Sequence, residues 1–145
     1  MFASFPADAG RHERPFDRSD RPLPKAWPEP AVMDDVINLL HMAKRPVIIA
    51  GHGVWWSHAE KNLEDASKAL KIPVFNVPYH QKLLGEECET YMGLADFHQY
   101  HPSKEALQDA DIILMIGGRL DNQMNFGNPP FIKAETRLIC INCLL

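Results

Sequence analysis

The chain has 145 residues, 46% hydrophobic and 23% charged, a composition that suits one globular domain and excludes a coiled coil, collagen or a wholly disordered protein. Fifteen basic against nineteen acidic side chains give a net charge of −4, the opposite of the balance that nucleic-acid binders show. No apolar run is long enough to cross a bilayer, the N-terminus lacks the features of a secretory signal, and three cysteines argue against a disulfide framework. These features favour a cytoplasmic protein that binds neither membrane nor nucleic acid.

Residues 1–30 form a proline-rich segment that we expect to be an extended linker. Its six prolines fix φ and remove backbone donors, so neither a long helix nor a central strand can form there. A linker of this length ahead of a compact region indicates that another domain normally precedes it. We therefore place the domain itself at residues 31–145.

From residue 31 onward, helical patterns alternate with strand patterns. Apolar residues at helical spacing predict a helix over 32–40, with Pro30 just ahead of its first turn. Ser57 followed by Glu60 predicts a capping box at the start of a second helix. Ser103 is expected to cap a third, short helix. The face that the second helix buries is expected to consist of Ala59, Leu63, Ala66 and Leu70.

Four short apolar runs predict buried strands. They cover residues 46–50, 72–77, 111–116 and 137–142. Strands that alternate with helices form βαβ units, so the sheet is predicted to be mostly parallel. The segments 78–102 and 117–136 are predicted to be irregular and too long for plain connectors. Because such loops follow the carboxyl ends of strands, we expect them to carry ligands.

The first candidate site is the turn formed by Gly51, His52 and Gly53, between a predicted strand and a predicted helix. Glycine permits a tight turn and close backbone approach, and a helix N-terminus directs free N–H groups at an anion. A pyrophosphate would fit there, although Trp56 occupies the place of the third glycine of a dinucleotide fingerprint. The alternative is a structural turn that binds nothing.

The second candidate site is the segment with Gly117, Gly118, Arg119 and Asp121, just past the third predicted strand. It is expected at the equivalent edge of the sheet. A guanidinium can bind a phosphate through two parallel hydrogen bonds. Asp121 can instead hold Arg119 in an internal ion pair that only pins the loop, and the two roles are compatible.

Two weaker motifs involve metal-ligand and thiol chemistry. His98 and His101, with Asp96, have a spacing that can supply two metal ligands, but no second ligand pair accompanies them, and we predict no metal. Cys140 and Cys143 form a Cys-x-x-Cys whose first member lies in a predicted strand. A redox motif needs its thiols at a helix N-terminus, so we interpret both as ordinary thiols.

Motifs for independent catalysis are missing from the sequence. It contains no Ser/His/Asp set at a recognisable elbow, no Gly-Lys-Ser/Thr phosphate loop and no carboxylate pair in an obvious catalytic loop. We therefore predict no catalytic residue in this chain. The adjacent Trp55 and Trp56 belong either to the core or to an interface, and the sequence does not decide between them.

Five segments, taken in their order and spacing, resemble the central domain of thiamine-diphosphate-dependent enzymes. The nearest groups are the acetolactate synthases and the branch of 2-hydroxyacyl-CoA lyase and oxalyl-CoA decarboxylase. The resemblance covers about residues 24–143 and implies a Rossmann-like, three-layer α/β domain with a parallel sheet, six-stranded in the family. The segments that carry it are 43–54, 72–74, 91–93, 110–121 and 138–142.

The resemblance implies that the catalytic machinery lies outside this chain. In the family, a preceding domain supplies the activating glutamate, and a following domain supplies the Gly-Asp-Gly motif for thiamine diphosphate and magnesium. This chain would be an inactive scaffold within a C–C lyase or carboligase that assembles as a homodimer or homotetramer. By position, Gly51, Gly53, Gly117, Arg119 and Asp121 match the loops near FAD or ADP in the nucleotide-binding branches.

Asn142 departs from the family pattern. The family usually has an aspartate at the end of that last strand, where the carboxylate accepts hydrogen bonds from ribose hydroxyls. An amide oxygen also accepts, but it carries no charge. Two alternatives to the scaffold therefore stay open: a free-standing module that binds FAD or ADP, and a purely structural assembly domain without a ligand.

Overall fold

The structure is a computed structural model that describes residues 28–78, 82–96 and 102–142. Most of the predicted linker and the side chains of His98, His101 and Cys143 lie outside these ranges. The helices are α1 Pro30–Met42, α2 His52–Trp56, α3 Glu60–Leu70 and α4 Pro102–Asp109, with a 3₁₀ helix at Asn122–Gly127. The strands are β1 Pro46–Ala50, β2 Val74–Asn76, β3 Tyr91–Leu94, β4 Ile112–Ile116 and β5 Arg137–Ile141.

The five described strands form one sheet in the order β3-β2-β1-β4-β5, and every pairing is parallel. In the central strand, Ile48 pairs with Val74 of β2 on one side and with Leu114 of β4 on the other. The predicted parallel α/β architecture is therefore confirmed. The described residues provide five strands, so the count of six given by the resemblance is not confirmed.

Apolar layers cover both faces of the sheet, which confirms the predicted three-layer arrangement. On one face, Val36 and Leu40 of α1 and Leu63 of α3 are buried against the strands. On the other face, the cover comes from α4, through Leu107, and from the segment after β4, through Phe131. The chain therefore leaves β1 toward one face and β4 toward the other, and their adjacent carboxyl ends are a topological switch point.

The second predicted helix is divided into two. Its first part, α2, begins at His52 and ends at Ser57, whose backbone N–H donates to the carbonyl of Gly53 (3.1 Å). Its second part, α3, begins at Glu60 without a side-chain cap. The predicted capping box of Ser57 and Glu60 is wrong, because the left-handed backbone of His58 (φ +51°) separates the two helices.

Two serines have roles that differ from the prediction. Ser67, rather than the exposed Ala66, completes the buried face of α3, and its hydroxyl lies 2.7 Å from that of Thr90 and donates to the carbonyl of Glu64. Ser103 is the second residue of α4, and its buried hydroxyl has no hydrogen-bond partner among the described residues. The predicted Ser103 cap is therefore wrong.

Strand β3 lies inside the segment 78–102 that was predicted to be irregular, so that prediction is wrong for these residues. The strand has four residues, includes Gly93 with φ +101°, and pairs with β2 through an irregular register between Val74 and Asn76. None of the helices in the described ranges combines the length and the apolar character that crossing a bilayer requires.

Asp111 ties the connection between α1 and β1 to the start of β4. Its carboxylate accepts hydrogen bonds from the backbone N–H groups of Lys44 (2.6 Å) and Arg45 (3.0 Å). Burial raises the pKa of this carboxyl, but the backbone N–H donors outweigh burial and hold the pKa below its ordinary value. Because the pKa is lower in the folded state than in the unfolded state, the ionised carboxylate stabilises the fold at pH values above the unfolded-state pKa. This stabilisation is lost as the pH falls through the folded-state pKa.

We expect Asp111→Ala to lower the free energy of unfolding by about 0.5–1 kcal/mol at pH 7, a loss similar to that of a surface-exposed helix cap. The difference from wild type should shrink once the pH falls below the ordinary aspartate value of about 3.9. Urea unfolding of wild type and Asp111→Ala at pH 7 and at pH 3 measures this difference in the free energy of unfolding. Asp109→Ala, which removes only an exposed 3.4 Å ion pair with Lys133, is the control with little effect. An undiminished difference at pH 3 would contradict this role for Asp111.

Candidate functional site

The turn after β1 and the turn after β4 contact each other through their backbones at the carboxyl edge of the sheet. The N–H of Gly51 donates to the carbonyl of Ile116 (2.9 Å), and the N–H of Gly53 donates to the carbonyl of Gly117 (2.8 Å). The structure thus brings the two predicted glycine motifs together at one edge.

Three of the four glycines in these turns are required by that contact. A Cβ atom on Gly51 would lie 2.6 Å from the carbonyl oxygen of Gly117, and one on Gly53 would lie 2.6 Å from the Cα of Gly117. Gly117 itself has φ +61°, and its Cβ would lie 2.7 Å from the Cα of Gly53. The close packing of one turn on the other is a sufficient reason for glycine at all three positions.

Gly118 differs from the other three. A Cβ atom at this position would have its nearest neighbours, Gly51 Cα and Val77 Cγ2, at 3.5 Å, an ordinary contact distance. Its carbonyl oxygen accepts a hydrogen bond from Nδ2 of Asn142 at 2.8 Å, which joins the end of β5 to the turn after β4. The packing of the described residues therefore does not require glycine at position 118.

Arg119 is exposed and forms no ion pair with Asp121 or any other carboxylate in the described ranges. Asp121 instead accepts a hydrogen bond from the backbone N–H of Gln123 (2.9 Å) and caps the 3₁₀ helix. The internal pair considered from the sequence is therefore absent from this loop. The guanidinium of Arg119 remains available to an anion.

An aromatic cluster adjoins the first turn. The ring centroids of Trp55 and Trp56 lie 4.7 Å apart in an edge-to-face arrangement, and His52 lies 5.9 Å from Trp55. Trp55 packs against the core, whereas Trp56 is 71% exposed. The helix that was expected to present its N-terminus to a pyrophosphate has only five residues, so it carries a correspondingly small dipole.

The metal and thiol motifs are only partly within the described residues. Asp96 is buried just after β3, and the two histidines are not described. Across 28–78, 82–96 and 102–142, no group of three His, Cys, Asp or Glu side chains is arranged to hold a metal ion. Cys140 is free, and burial raises the pKa of its thiol, which lowers its reactivity as a thiolate.

Two cavities lie at the opposite edge of the sheet from the glycine turns. One, of about 610 Å³, is lined by Gln108 and Asp109 at the end of α4 and by residues from 129–135. The other, of about 310 Å³, lies beside Asp111 and Arg137 at the starts of β4 and β5. Neither is lined by a predicted site residue.

Sequence reasoning missed the hydrogen bond between Asn142 and Gly118. The two residues are 24 positions apart, and they meet because β5 pairs with β4 in a parallel register. The sequence does not show that β4 and β5 are neighbours in the sheet. Once this is known, the contact is expected, because residues at the carboxyl ends of neighbouring parallel strands lie at the same edge of the sheet.

Comparison with known proteins matches residues 33–144 to the family described as "Thiamine pyrophosphate enzyme, central domain". The chain is 30% identical over 115 residues to 2-hydroxyacyl-CoA lyase 1 of Dictyostelium discoideum, covering 79% of this chain and 19% of that protein. It is 33% identical over 109 residues to the mitochondrial acetolactate synthase of Schizosaccharomyces pombe, covering 74% of this chain and 16% of that protein. The chain thus spans at most about a fifth of these relatives.

A solved structure has the same fold. The thiamine diphosphate-dependent 4-hydroxybenzoylformate decarboxylase of Rhodococcus jostii RHA1 aligns with a TM-score of 0.69 at 19% identity, covering 84% of this chain and 23% of that one. This likeness concerns the fold alone, whereas the family match extends over most of the sequence. The chain therefore belongs to the central-domain family of thiamine pyrophosphate enzymes.

Proposed function

We propose that this chain is the central scaffold of a longer thiamine-diphosphate-dependent C–C lyase or carboligase and is catalytically inactive alone. Its partners would be the N-terminal and C-terminal domains of the same enzyme, with residues 1–30 as the linker from the first. The proposal is supported by the family membership and by relatives that are about five times longer than the matched region.

The single geometric observation that carries this proposal is the exposure of β5. This strand pairs in full register with β4, yet none of its five residues is buried, whereas four of five residues are buried in β1 and in β4. Leu138 is 38% exposed, and Cys140 is exposed beside it. Parallel sheets are normally covered on both faces, and native edge strands are covered or charged. We propose that the flanking domains supply this cover.

The proposed cofactors of the whole enzyme are thiamine diphosphate and magnesium, held by those flanking domains. The described residues do not fit this group, because they contain no cluster of oxygen ligands for the metal. When bound, thiamine diphosphate supplies an electron sink for a carbanion. We derive no catalytic step for the side chains of this chain.

We expect thiamine diphosphate with Mg²⁺ to leave the melting temperature of the 145-residue chain unchanged. A ligand at one hundred times its dissociation constant would stabilise the fold by about 2.7 kcal/mol, which a thermal melt detects readily. The positive control is the longer enzyme that contains the flanking domains, which should be stabilised by the same mixture. Saturable stabilisation of the chain alone would disprove the proposal that the cofactor site lies elsewhere.

A second candidate function is the binding of FAD or ADP at the carboxyl edge of the sheet. The proposed site residues are those of the turn after β1 (Gly51, His52, Gly53), those of the turn after β4 (Gly117, Gly118, Arg119, Asp121), and Asn142. The observation that favours it is the exposed Arg119 without an ion pair among the described residues. Coenzyme A is a further adenosine nucleotide to include in the test. If none of the three stabilises the chain, the purely structural alternative is favoured.

If a nucleotide does stabilise the chain, we expect Arg119→Ala to abolish the stabilisation and to leave the melting temperature of the free protein nearly unchanged. The guanidinium would lose its paired hydrogen bonds to phosphate, while no ion pair among the described residues is removed. Arg119→Lys is the matched control, which keeps the charge but not the bidentate geometry and should bind with intermediate affinity. An undiminished shift in Arg119→Ala would mean that the loop is structural.

The homodimeric or homotetrameric assembly and the cytoplasmic location remain proposals for the full-length enzyme. The exposed Trp56 supports a contact with another subunit or domain, because tryptophan is enriched at such interfaces. The free thiols of Cys88 and Cys140 suit a reducing compartment.

A further inference from the structure

Trp56 is an exposed aromatic side chain that its neighbours hold in a defined position. Its ring is 71% exposed and lies edge-on to that of Trp55, with 4.7 Å between the centroids, and the ring of His52 lies 6.3 Å away. Trp55 itself packs against the core. Helix α2 ends directly after Trp56, and the backbone of His58 then turns into the left-handed region. The molecule therefore presents a large ring in a fixed place, which suits a contact with an apolar partner.

Helix α1 begins on the same face and at the same edge of the sheet as α2. The residues that follow α1 bond to Asp111 at the start of β4, so α1 ends at the starting edge of the strands. Its 13 residues span roughly 20 Å, about the length of the strands, so its first residue, Pro30, lies near their carboxyl ends. Helix α2 follows the carboxyl end of β1, and both helices belong to one core layer through Val36 and Val54. The segment that precedes Pro30 thus reaches the domain beside α2.

This preceding segment has the composition of chains that bind to aromatic surfaces. Pro22 and Pro24 flank Leu23, and Pro28 follows them. Prolines favour polyproline II, an extended helix that needs little further ordering, and such segments dock on surfaces lined by aromatic side chains. Fewer than ten residues separate Pro22 from Pro30, and in polyproline II they reach up to roughly 25 Å. Residues 21–27 lie outside the described ranges.

The short tether favours this chain's own segment over a separate partner. A segment tethered by a few residues has an effective concentration in the millimolar range, so it forms contacts that are too weak to hold a separate molecule. Val32 in the first turn of α1 is 51% exposed and adds apolar surface close to the point where the segment reaches the domain.

We propose that residues 22–24 dock on the exposed ring of Trp56 in the same chain, with Pro22 and Pro24 against the ring. Of the contacts that an exposed tryptophan supports, this one lies within the chain. It anchors the N-terminal segment to the domain and fixes the direction from which the polypeptide enters α1. The docking itself requires neither thiamine diphosphate nor a nucleotide. In the longer enzyme proposed above, it would hold the preceding domain near the carboxyl edge of the sheet.

Trypsin cleavage of the 145-residue chain tests the docking at two bonds. The bond after Lys25 directly follows the proposed contact, whereas the bond after Arg11 lies well ahead of it and is an internal control. A protease cuts a docked segment only while that segment is open, so the initial rate of cleavage reports the population of the open form. We expect Trp56→Ala to speed cleavage after Lys25 about fivefold, the factor that one aromatic contact supplies, and to leave cleavage after Arg11 unchanged.

Phe126→Ala is the matched control variant. It also removes an exposed aromatic ring, but from the 3₁₀ helix after β4, and it should leave both cleavage rates unchanged. Trp56→Phe keeps an aromatic ring and should retain most of the protection after Lys25. If cleavage after Lys25 is not faster in Trp56→Ala, or if both bonds are cut faster by the same factor, the proposal is overturned.

The protein concentration distinguishes docking within one chain from docking between two copies. Protection within a chain is independent of concentration, and this is the result that we expect for the bond after Lys25. Protection that increases with concentration in the wild type and disappears in Trp56→Ala would mean that a second copy covers this ring, contrary to the proposal. Neither result alters the assignment of the cofactor site to the flanking domains, which the thermal melts test separately.

Discussion

Replacement of Gly117 by alanine is expected to lower the free energy of unfolding by about 3 kcal/mol, the combined effect of a left-handed backbone and of overpacking. Gly117 has φ +61°, and the new Cβ would lie 2.7 Å from Gly53 Cα and Val54 N. Both atoms belong to the backbone, so no flexible side chain can move aside. Relief of the contact would require the turns after β1 and β4 to separate.

The adjacent Gly118→Ala is the matched control, with an expected change within about 0.5 kcal/mol. The same substitution, one residue further along, meets only contacts at 3.5 Å and no positive φ. Urea unfolding of both variants gives the comparison, and equal slopes of free energy against urea would indicate that the denatured state is unaffected. Equal stabilities of the two variants would contradict the backbone contact between the turns.

Phe131→Ala is expected to lower the free energy of unfolding by about 3–5 kcal/mol, the usual range when a phenylalanine is removed from a core. Phe131 is fully buried in the layer that covers β1 and β4, together with Leu107 and Met124. It comes from an irregular segment and packs that segment on the sheet together with Met124 and Ile132. A cavity in this layer cannot be filled without moving the segment.

Phe126→Ala, five residues earlier in the same segment, is the control for Phe131→Ala. Phe126 is 64% exposed, and its removal should change the stability by no more than about 0.5 kcal/mol. Thermal and urea unfolding of the two variants measure the difference. A similar, small loss in both would mean that the segment after β4 does not form a core layer.

Strands β1, β4 and β5 were predictable because local sequence determines them. Continuous apolar runs with β-branched residues, bounded by glycine in the first two cases, indicate strands of a parallel sheet, and the structure places them at Pro46–Ala50, Ile112–Ile116 and Arg137–Ile141. Helix α1 was predictable for a similar reason, since Pro30 and the apolar spacing agree. Each of these signals lies within a single window of the chain.

Strand β3 and the break between α2 and α3 were not predictable, because tertiary contacts decide them. The four residues of β3 include Gly93, and their pairing with β2 is framed by two hydrogen bonds, from Val74 N–H to the carbonyl of Thr90 and from Ala95 N–H to the carbonyl of Asn76. His58 takes a left-handed backbone, which is uncommon for any residue other than glycine. Ser57 therefore ends one helix instead of starting the next.

For the candidate site, the sequence predicted that both glycine-containing turns lie at the carboxyl edge of the sheet, but it did not predict the role of each glycine. Two glycine-containing turns after parallel strands must share an edge of the sheet, so their proximity follows from fold class. The assignment of Gly51, Gly53 and Gly117 to packing requires distances below 3 Å between the turns, which no sequence pattern contains. The same holds for the 2.8 Å bond between Asn142 and Gly118.

The most direct test of the central claim is the mass of the native polypeptide that carries residues 30–142, detected in its source cells with an antibody against this domain. The account predicts a species several times heavier than the 16.5 kDa of the present chain, because the relatives continue far beyond the matched region. A native protein found only at 16.5 kDa would contradict the proposal that these residues are the middle domain of a larger enzyme.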